Sequence, residues 1–363
     1  MRFTPVTTFM AMAKLLLLLA LAGCQSAPLQ AQKDPLPSWN DGPTKQTILG
    51  FVRRVTTEGS ADFVPIADRI ATFDNDGTLW AEKPLPNEVY FVFARVHEMA
   101  ARDPSLREKQ PFKAVLENDV AYFQQHGAKA IVELLVATHG NLTQEQFAAE
   151  VRRFLDTQHH PKLNRPFTAT AYAPMLELLA YLRANGFQTW LCSGGTIDFM
   201  RVFSYQTYGI RPDQVIGTEL KRESKVIDGR RVIWRLPAVE SINDKETKPV
   251  GIDLHIGKRP VIAGGNVLSE GDIAMMEYSK GRQGPSLQLL IDHDDAEREF
   301  AYQEKDNVSL NAARQQGFTV VSVKRDWRNV FGAQPGAKQT SSVEPAPMDR
   351  RSMAVPQFLQ VAR

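Results

Sequence analysis

The sequence predicts an α/β fold: a doubly wound, mostly parallel sheet with helices on both faces and a helical cap inserted after the first strand. Three observations point to it. Short apolar runs alternate with segments of helical period from Arg69 onward. A long stretch from Glu88 to about Leu155 keeps helical period directly after the first run. Acidic residues and glycines crowd the ends of several runs, where such folds place their ligands.

Arg69 to Phe73 ("RIATF") reads as a mostly buried strand. The helical stretch that follows includes "VYFVFARVHEMAAR", "KAIVELLVATHG" and "QEQFAAEVRRFL". Being all-helical, this insert is expected to sit apart, over the C-terminal edge of the sheet. Ala173 to Ala184 is a further amphipathic helix, stopped by Asn185-Gly186. "QTWLCSGG" rises as a strand and turns on glycines, and "TIDFMRVFSYQTYG" resumes helix. "KVIDGRRVIWRL" reads as a hairpin turning on Asp228-Gly229. Strands at "PVIAGGN", "LQLLIDH" and "FTVVSVKRD" complete the alternation.

Both ends differ from this pattern. Met1 to Lys14 carries two positive charges, and Leu15 to Ala22 is an unbroken apolar run. That run is short of the roughly 20 residues a bilayer span takes and has the proportions of a signal-peptide core. "LAGC", ending at Cys24, resembles the lipobox of bacterial lipoproteins, whose cysteine is lipidated and becomes the new N-terminus. By resemblance to Gram-negative lipoproteins, Gln25 after it favours the outer membrane, with the domain expected to face the periplasm. Residues 24–45, rich in Pro, Gln and Ser, read as a tether, and residues 333–363 as a disordered tail. The hydrolase-sized domain is expected at 46–332, with its cap at about 83–170.

Of 363 residues, 43% are hydrophobic and 23% charged, which is ordinary for a globular protein. Arg2 and Lys14 of the leader account for the formal +2, so the mature chain is near neutral and a nucleic-acid partner is not expected. Cys24 and Cys192 are the two cysteines, and no Cys/His cluster suggests zinc. Cys192 reads as a packed thiol rather than a nucleophile.

Four segments carry chemistry. The first is Asp74-Asn75-Asp76-Gly77-Thr78, at the end of the first strand. One carboxylate can attack phosphorus while the other, two residues on, protonates the leaving oxygen and later activates water. The same residues also suit an Asx-rich turn. The second is Ser193-Gly194-Gly195, whose hydroxyl and backbone can donate to phosphate oxygens. The third is Lys248, preferred over Lys245 because Pro249 suits a first helical turn and puts the lysine at the mouth of that helix. The fourth is "AGGNVLSEGDIAMM", where Asn266 or Asp272 could complete a Mg²⁺ shell begun by Asp74, with a helix N-cap as the other use of Asp272.

In this order the four segments resemble the haloacid dehalogenase superfamily over roughly residues 46 to 330. "SGG" and the helical insert look like its phosphoserine phosphatase branch, and "IDHDDAEREFAY" with "VVSVKRDWRNVF" is similar to a group of bacterial phosphatase-like members. The resemblance implies a Rossmann-like core and a Mg²⁺-dependent phosphatase acting on a small phosphorylated metabolite. Asp74 becomes the nucleophile that carries an aspartyl phosphate, and Asp76 the general acid/base that also lends its carbonyl to Mg²⁺. Thr78, Ser193, Gly194 and Lys248 bind phosphate; Asp74, Asp76, Asp272 and Asn266 supply the metal site. Asp272 stands further from Asn266 than the phosphoserine phosphatase pattern has it. A phosphotransferase or mutase using the same intermediate, and a non-catalytic binding lipoprotein, are the alternative readings.

Arg201 is a candidate second phosphate or carboxylate contact, with a surface salt bridge as its other reading. Trp80, Glu82 and the segment to Tyr90 are candidate substrate contacts leading into the cap. His159-His160 reads as a turn rather than a metal pair, because adjacent side chains point apart.

Overall fold

The computed structural model describes residues 34–332. Cys24, the segment read as a signal peptide and the tail expected at 333–363 lie outside the described residues.

Eight strands form one sheet in the order β2-β5-β4-β3-β1-β6-β7-β8. β1 (Ile70–Phe73) lies between β3 (Gln188–Thr196) and β6 (Ile262–Asn266), parallel to both. β7 (Leu287–Asp292) and β8 (Thr319–Ser322) continue the parallel set outward from β6. On the other side β4 (Val215–Ile227) runs parallel to β3 and pairs antiparallel with β5 (Arg230–Ser241). Asp228 and Gly229, both at positive φ, make the hairpin turn that the Asp-Gly pair predicted.

Consecutive residues of the central strands go to opposite faces, as the period of two requires. Leu191, Val215, Ile262 and Leu289 join one apolar core; Cys192, Ile216, Ala263 and Leu290, each the next residue, join another. The first core is covered by α1 (Pro43–Thr56), α6 (Ala173–Ala184) and α7 (Ile197–Tyr208). The second is covered by α8 (Thr247–Ile256), α9 (Glu270–Lys280) and α10 (Val308–Gln316). Burial on both faces is what makes these strands read as continuous apolar runs.

The insert contains α2 (Asn87–Arg102), α3 (Phe112–Glu117), α4 (Val120–His139), β2 (Leu142–Thr143) and α5 (Gln144–Thr157). Its first half has a small core of its own, with Val92, Val96, Ala114, Val115, Phe123, Ala130 and Leu134. The expectation of an all-helical insert standing apart is corrected on two counts. Leu142 and Thr143 pair with Arg235 and Trp234 and so extend the sheet. Phe147, Val151, Phe154 and Leu155 of α5 belong to the main core. A two-residue strand is too short to leave a periodic signal. Thr143 and Gln146 form a reciprocal capping box that starts α5 where the strand ends.

The tether assigned to residues 24–45 is also corrected in its described part. Leu36 and Trp39 are fully buried, and α1 begins at Pro43, inside the span read as tether. Trp39 donates its indole N–H to the Pro174 carbonyl at 2.9 Å and meets Trp327 edge-on at 6.3 Å. The Pro- and Gln-rich composition hid this anchor, because one tryptophan decides the burial of a segment whose average is polar. Among the described residues no helix is long and apolar enough to cross a membrane.

Trp39→Ala should therefore destabilise the whole domain by about 3–5 kcal/mol, the range for emptying a buried aromatic site. Urea denaturation checks this; a free tether would show no change.

Candidate active site

The centre of the site is one buried lysine. β1 ends at Phe73, and the Asp74 N–H donates to the Gly264 carbonyl of β6 at 3.0 Å, which fixes the nucleophile candidate at the strand end. Lys248, in the first turn of α8, sends its ammonium to Asp74 Oδ1 at 2.7 Å and to Asp272 Oδ1 at 2.5 Å. All three side chains are almost completely buried. Asp272 Oδ2 accepts the Asn266 N–H at 2.9 Å. The N-cap use of Asp272 falls to Ser269, whose hydroxyl accepts the Asp272 N–H, so the carboxylate is free to turn inward. Gly265 makes room for it: a Cβ there would lie 2.4 Å from the Asp272 Cβ.

The charges do not balance. Two buried carboxylates share one ammonium, with Asp76 and Glu82 close enough to act on the same field. Burial alone would discharge Lys248, but Asp272 and Asp74 hold it charged, well above the usual lysine range. Burial and then the Asp74 charge push Asp272 up to about 7. Burial, followed by Asp74, pushes Asp76 up to about 8, although Trp80 Nε1 donates to Asp76 Oδ1 at 2.7 Å. A carboxyl group so placed can hold a proton near neutral pH, which a general acid needs. Asp74 Oδ2 has no hydrogen-bond partner among the described residues.

Oxygen donors with excess negative charge fit a hard divalent cation. Among the described residues no three His, Cys, Asp or Glu side chains form a ready-made metal cage. Mg²⁺ does not require one, since it usually takes one or two carboxylates and completes its shell with water and phosphate oxygens. Asn266 turns its amide to Glu82, donating to Oε1 at 3.0 Å, whereas Asp272 faces the shared ammonium.

The other predicted residues divide. Ser193 is buried at the end of β3, its hydroxyl accepting from the Gly195 N–H at 3.3 Å. Its carbonyl and that of Gly194 are held by Asn243 Nδ2 and Thr218 Oγ1. Thr78 is fully buried, and its hydroxyl is an orphan among the described residues. A buried hydroxyl with no partner in the nucleophile loop suits a ligand oxygen. Cys192 is a packed thiol that burial pushes up to about 11. Trp80 is core rather than a substrate contact: it stacks on Phe203 at 4.5 Å and is fully buried. His160 makes a turn, its Nε2 bonding the Lys83 carbonyl at 3.0 Å and its Nδ1 accepting from Leu163 N–H at 3.1 Å. Arg201 is not brought to this cluster. Its Nε donates to the Pro212 carbonyl at 2.8 Å, and it lines a different cavity.

Two buried arrangements went unread in the sequence. Glu88 of α2 accepts from the Thr196 N–H at 2.9 Å and from the Thr196 hydroxyl, and bonds His139 Nε2 at 3.1 Å. The insert thus reaches across to the end of β3, beside Ser193. On the other side His293 Nε2 meets the Gly77 carbonyl at 2.7 Å, and Nδ1 meets Glu299 Oε1 at 2.5 Å. A carbonyl can only accept, so Nε2 carries a proton. The Glu299 charge outweighs burial, which alone would lower His293, and raises its proton affinity. The imidazolium then donates on both sides, and the Tyr172 hydroxyl donates to Glu299 Oε2 at 2.6 Å. Gly77 is at φ 70, and a Cβ there would fall 2.1 Å from Asn266 Nδ2. This loop is thus held through its backbone by His293. "IDHDDAEREFAY" carried the signal, but polar spacing alone could not tell a buried pair from a solvated turn.

Because the folded state binds this proton more tightly than the unfolded one, the His293–Glu299 pair stabilises fully below about pH 6.5, the ordinary histidine value. That contribution is lost as the pH rises through the raised folded-state value. Denaturation across a pH series should show stability falling above pH 6.5, with this slope absent in Glu299→Gln. At neutral pH the same variant should cost about 3–5 kcal/mol, the effect of breaking a buried pair from one side.

A solved structure of a conserved protein of unknown function from Anaerococcus prevotii matches with a TM-score of 0.53 at 14% identity, over 84% of this chain and 100% of that one. A phosphoserine phosphohydrolase-like protein from Francisella tularensis is more distant, with a TM-score of 0.36 and 13% identity over 71% of this chain and 95% of its own. No curated protein matches. The family model for haloacid dehalogenase-like hydrolases matches residues 71–277, from the first strand through α9, and the chain belongs to that family.

Proposed function

We propose that this hydrolase is a Mg²⁺-dependent phosphatase of small phosphomonoesters that works through a phosphoryl-aspartate. One observation carries the reading: Lys248 holds Asp74 and Asp272 together while Asp74 Oδ2 stays open and Asp76 can keep a proton.

In the first half-reaction Asp74 Oδ2 attacks phosphorus as the ester P–O bond breaks, and the Asp76 carboxyl gives its proton to the departing alkoxide. In the second, the Asp76 carboxylate takes a proton from water, the new oxygen attacks phosphorus, and Asp74 leaves with inorganic phosphate released. Lys248 balances the charge of the transferring group, and the hydroxyls of Ser193 and Thr78 meet its oxygens. The carboxylates of Asp74 and Asp272 and the main-chain carbonyl of Asp76 would hold Mg²⁺. When bound, the ion neutralises phosphoryl charge and holds the group in line for attack. A carboxylate at Asp76, rather than another side chain, favours phosphoryl-oxygen chemistry over dehalogenation. The insert, tied to the end of β3 through Glu88, is the part that shapes specificity.

The soluble domain starting after Cys24 should hydrolyse p-nitrophenyl phosphate with Mg²⁺ and lose that activity in EDTA. Asp74→Asn should fall to background, and Asp76→Asn should lose about 10²–10⁴-fold, the range for general acid–base catalysis. Hydrolysis that survives Asp74→Asn overturns the mechanism.

The anchor belongs to the same proposal. The lipobox-like "LAGC" supports a lipidated Cys24, with the enzyme held at the outer membrane and facing the periplasm. Cys24→Ser should move the protein from the membrane fraction to the soluble one.

A further inference from the structure

Arg201 marks a second site. It lines a cavity of about 330 Å³ together with Gln144, Asp198, Arg222, Ser224 and Arg235. Three elements converge there: α7 supplies Asp198 and Arg201, the β4–β5 hairpin supplies Arg222, Ser224 and Arg235, and the insert supplies Gln144. The cavity lining shares no residue with the Asp74–Lys248–Asp272 cluster.

Its charges are unequal. Asp198 pairs with Arg235 through Nε and Nη2, both at 2.8 Å, and with Arg222 at 3.3 Å. Glu219 takes the other end of Arg222 at 2.9 Å. Glu223, also in the lining, is paired with Lys225 at 2.6 Å. With Glu223 taken by Lys225, the guanidiniums of Arg201, Arg222 and Arg235 are left with Asp198 in the lining and Glu219 behind it. Arg235 is 2% exposed and has one face against the Phe147 ring, yet its Nη1 is buried with no partner among the described residues. Arg201 spends only Nε, on a carbonyl, and burial and the nearby Arg222 work against its charge, more than Asp198, Glu219 and Asp213 together offset. A buried guanidinium N–H left unpaired is costly, and a second under-neutralised arginine beside it doubles the demand for an anion.

We propose that this cavity is an oxyanion-binding site, separate from the reaction centre, which takes a small phosphate or carboxylate on Arg201 and Arg235. Planar guanidinium groups recognise both through paired N–H donors, and the cavity has ample volume for one such group. An anion held there bridges α7, the hairpin and the insert.

The test uses the metal-free full domain, with inorganic phosphate and malonate as separate probes. Phenylglyoxal labelling of Arg201, read by peptide mass spectrometry, should slow severalfold with at least one probe, while the exposed Arg230 is labelled at an unchanged rate. Labelling of Arg201 that is indifferent to both probes overturns the proposal. The anion should also raise the melting temperature of wild type and of Asp74→Asn alike, and not of Arg201→Gln. A shift lost in Asp74→Asn would place the anion at the reaction centre and overturn the second site; a shift kept in Arg201→Gln would do the same. Because the labelling is done on wild type, a misfolded variant does not decide it. Because no turnover is read, it stands or falls apart from the phosphatase reading.

Discussion

The Lys248 ammonium, buried between two carboxylates, is the interaction on which this structure turns. Charges taken out of water cost several kcal/mol each unless their partners are placed well, and removing one partner leaves the others exposed to that cost. The fold meets this demand from three directions. β1 delivers Asp74 at a strand end, α8 starts with Lys248, and the loop after β6 starts α9 with Asp272 in its first turn. Gly265 lets the last of these come in close, and the Asn266 N–H satisfies its second oxygen. Even so, one ammonium does not balance the carboxylates, and the remaining negative charge is what the proposed divalent cation would neutralise.

Around this centre the fold braces the loop from Asp74 to Thr78 through three side chains. Trp80 holds Asp76, the Tyr208 hydroxyl donates to Asn75 Oδ1 at 2.9 Å, and His293 grips the Gly77 carbonyl. All three act from the protein interior. On the proposed mechanism, a loop fixed this way needs no reorganisation when charge develops on the transferring group, which is where electrostatic catalysis gains most.

Much of this was legible in the sequence, and the part that was not has a common physical reason. The strands and helices of the core follow from period and punctuation: Ala173 to Ala184 is a helix with those bounds, and the hairpin turns on Asp228-Gly229. Asp74, Lys248 and Asp272 come together because each sits where one regular element meets the next. The residues that escaped depend on long-range partners that no local pattern encodes. Glu88 meets Thr196 across 108 positions, His293 meets Gly77 across 216, and Trp39 meets Pro174 across 135. Arg201 was singled out as a candidate phosphate or carboxylate contact by its charge and helix position, and the structure places it in a cavity apart from the reaction centre. Its place could not be read, because β4 and β5 carry their arginines out to meet it only once the hairpin folds.

The bolt from His293 to Gly77 also bears on where this protein can be divided. The family match ends at residue 277, before β7 and β8. Yet the two strands beyond it are load paths of the loop that carries Asp74: His293 and Glu299 follow β7, and Trp327, after β8, packs on Tyr172 and on Trp39 of the N-terminal segment. The segments outside the matched region are therefore not appendages to a portable catalytic module. They close a ring from the beginning of the fold to its end, and the smallest unit able to inherit the site intact is wider than the region by which the family is recognised.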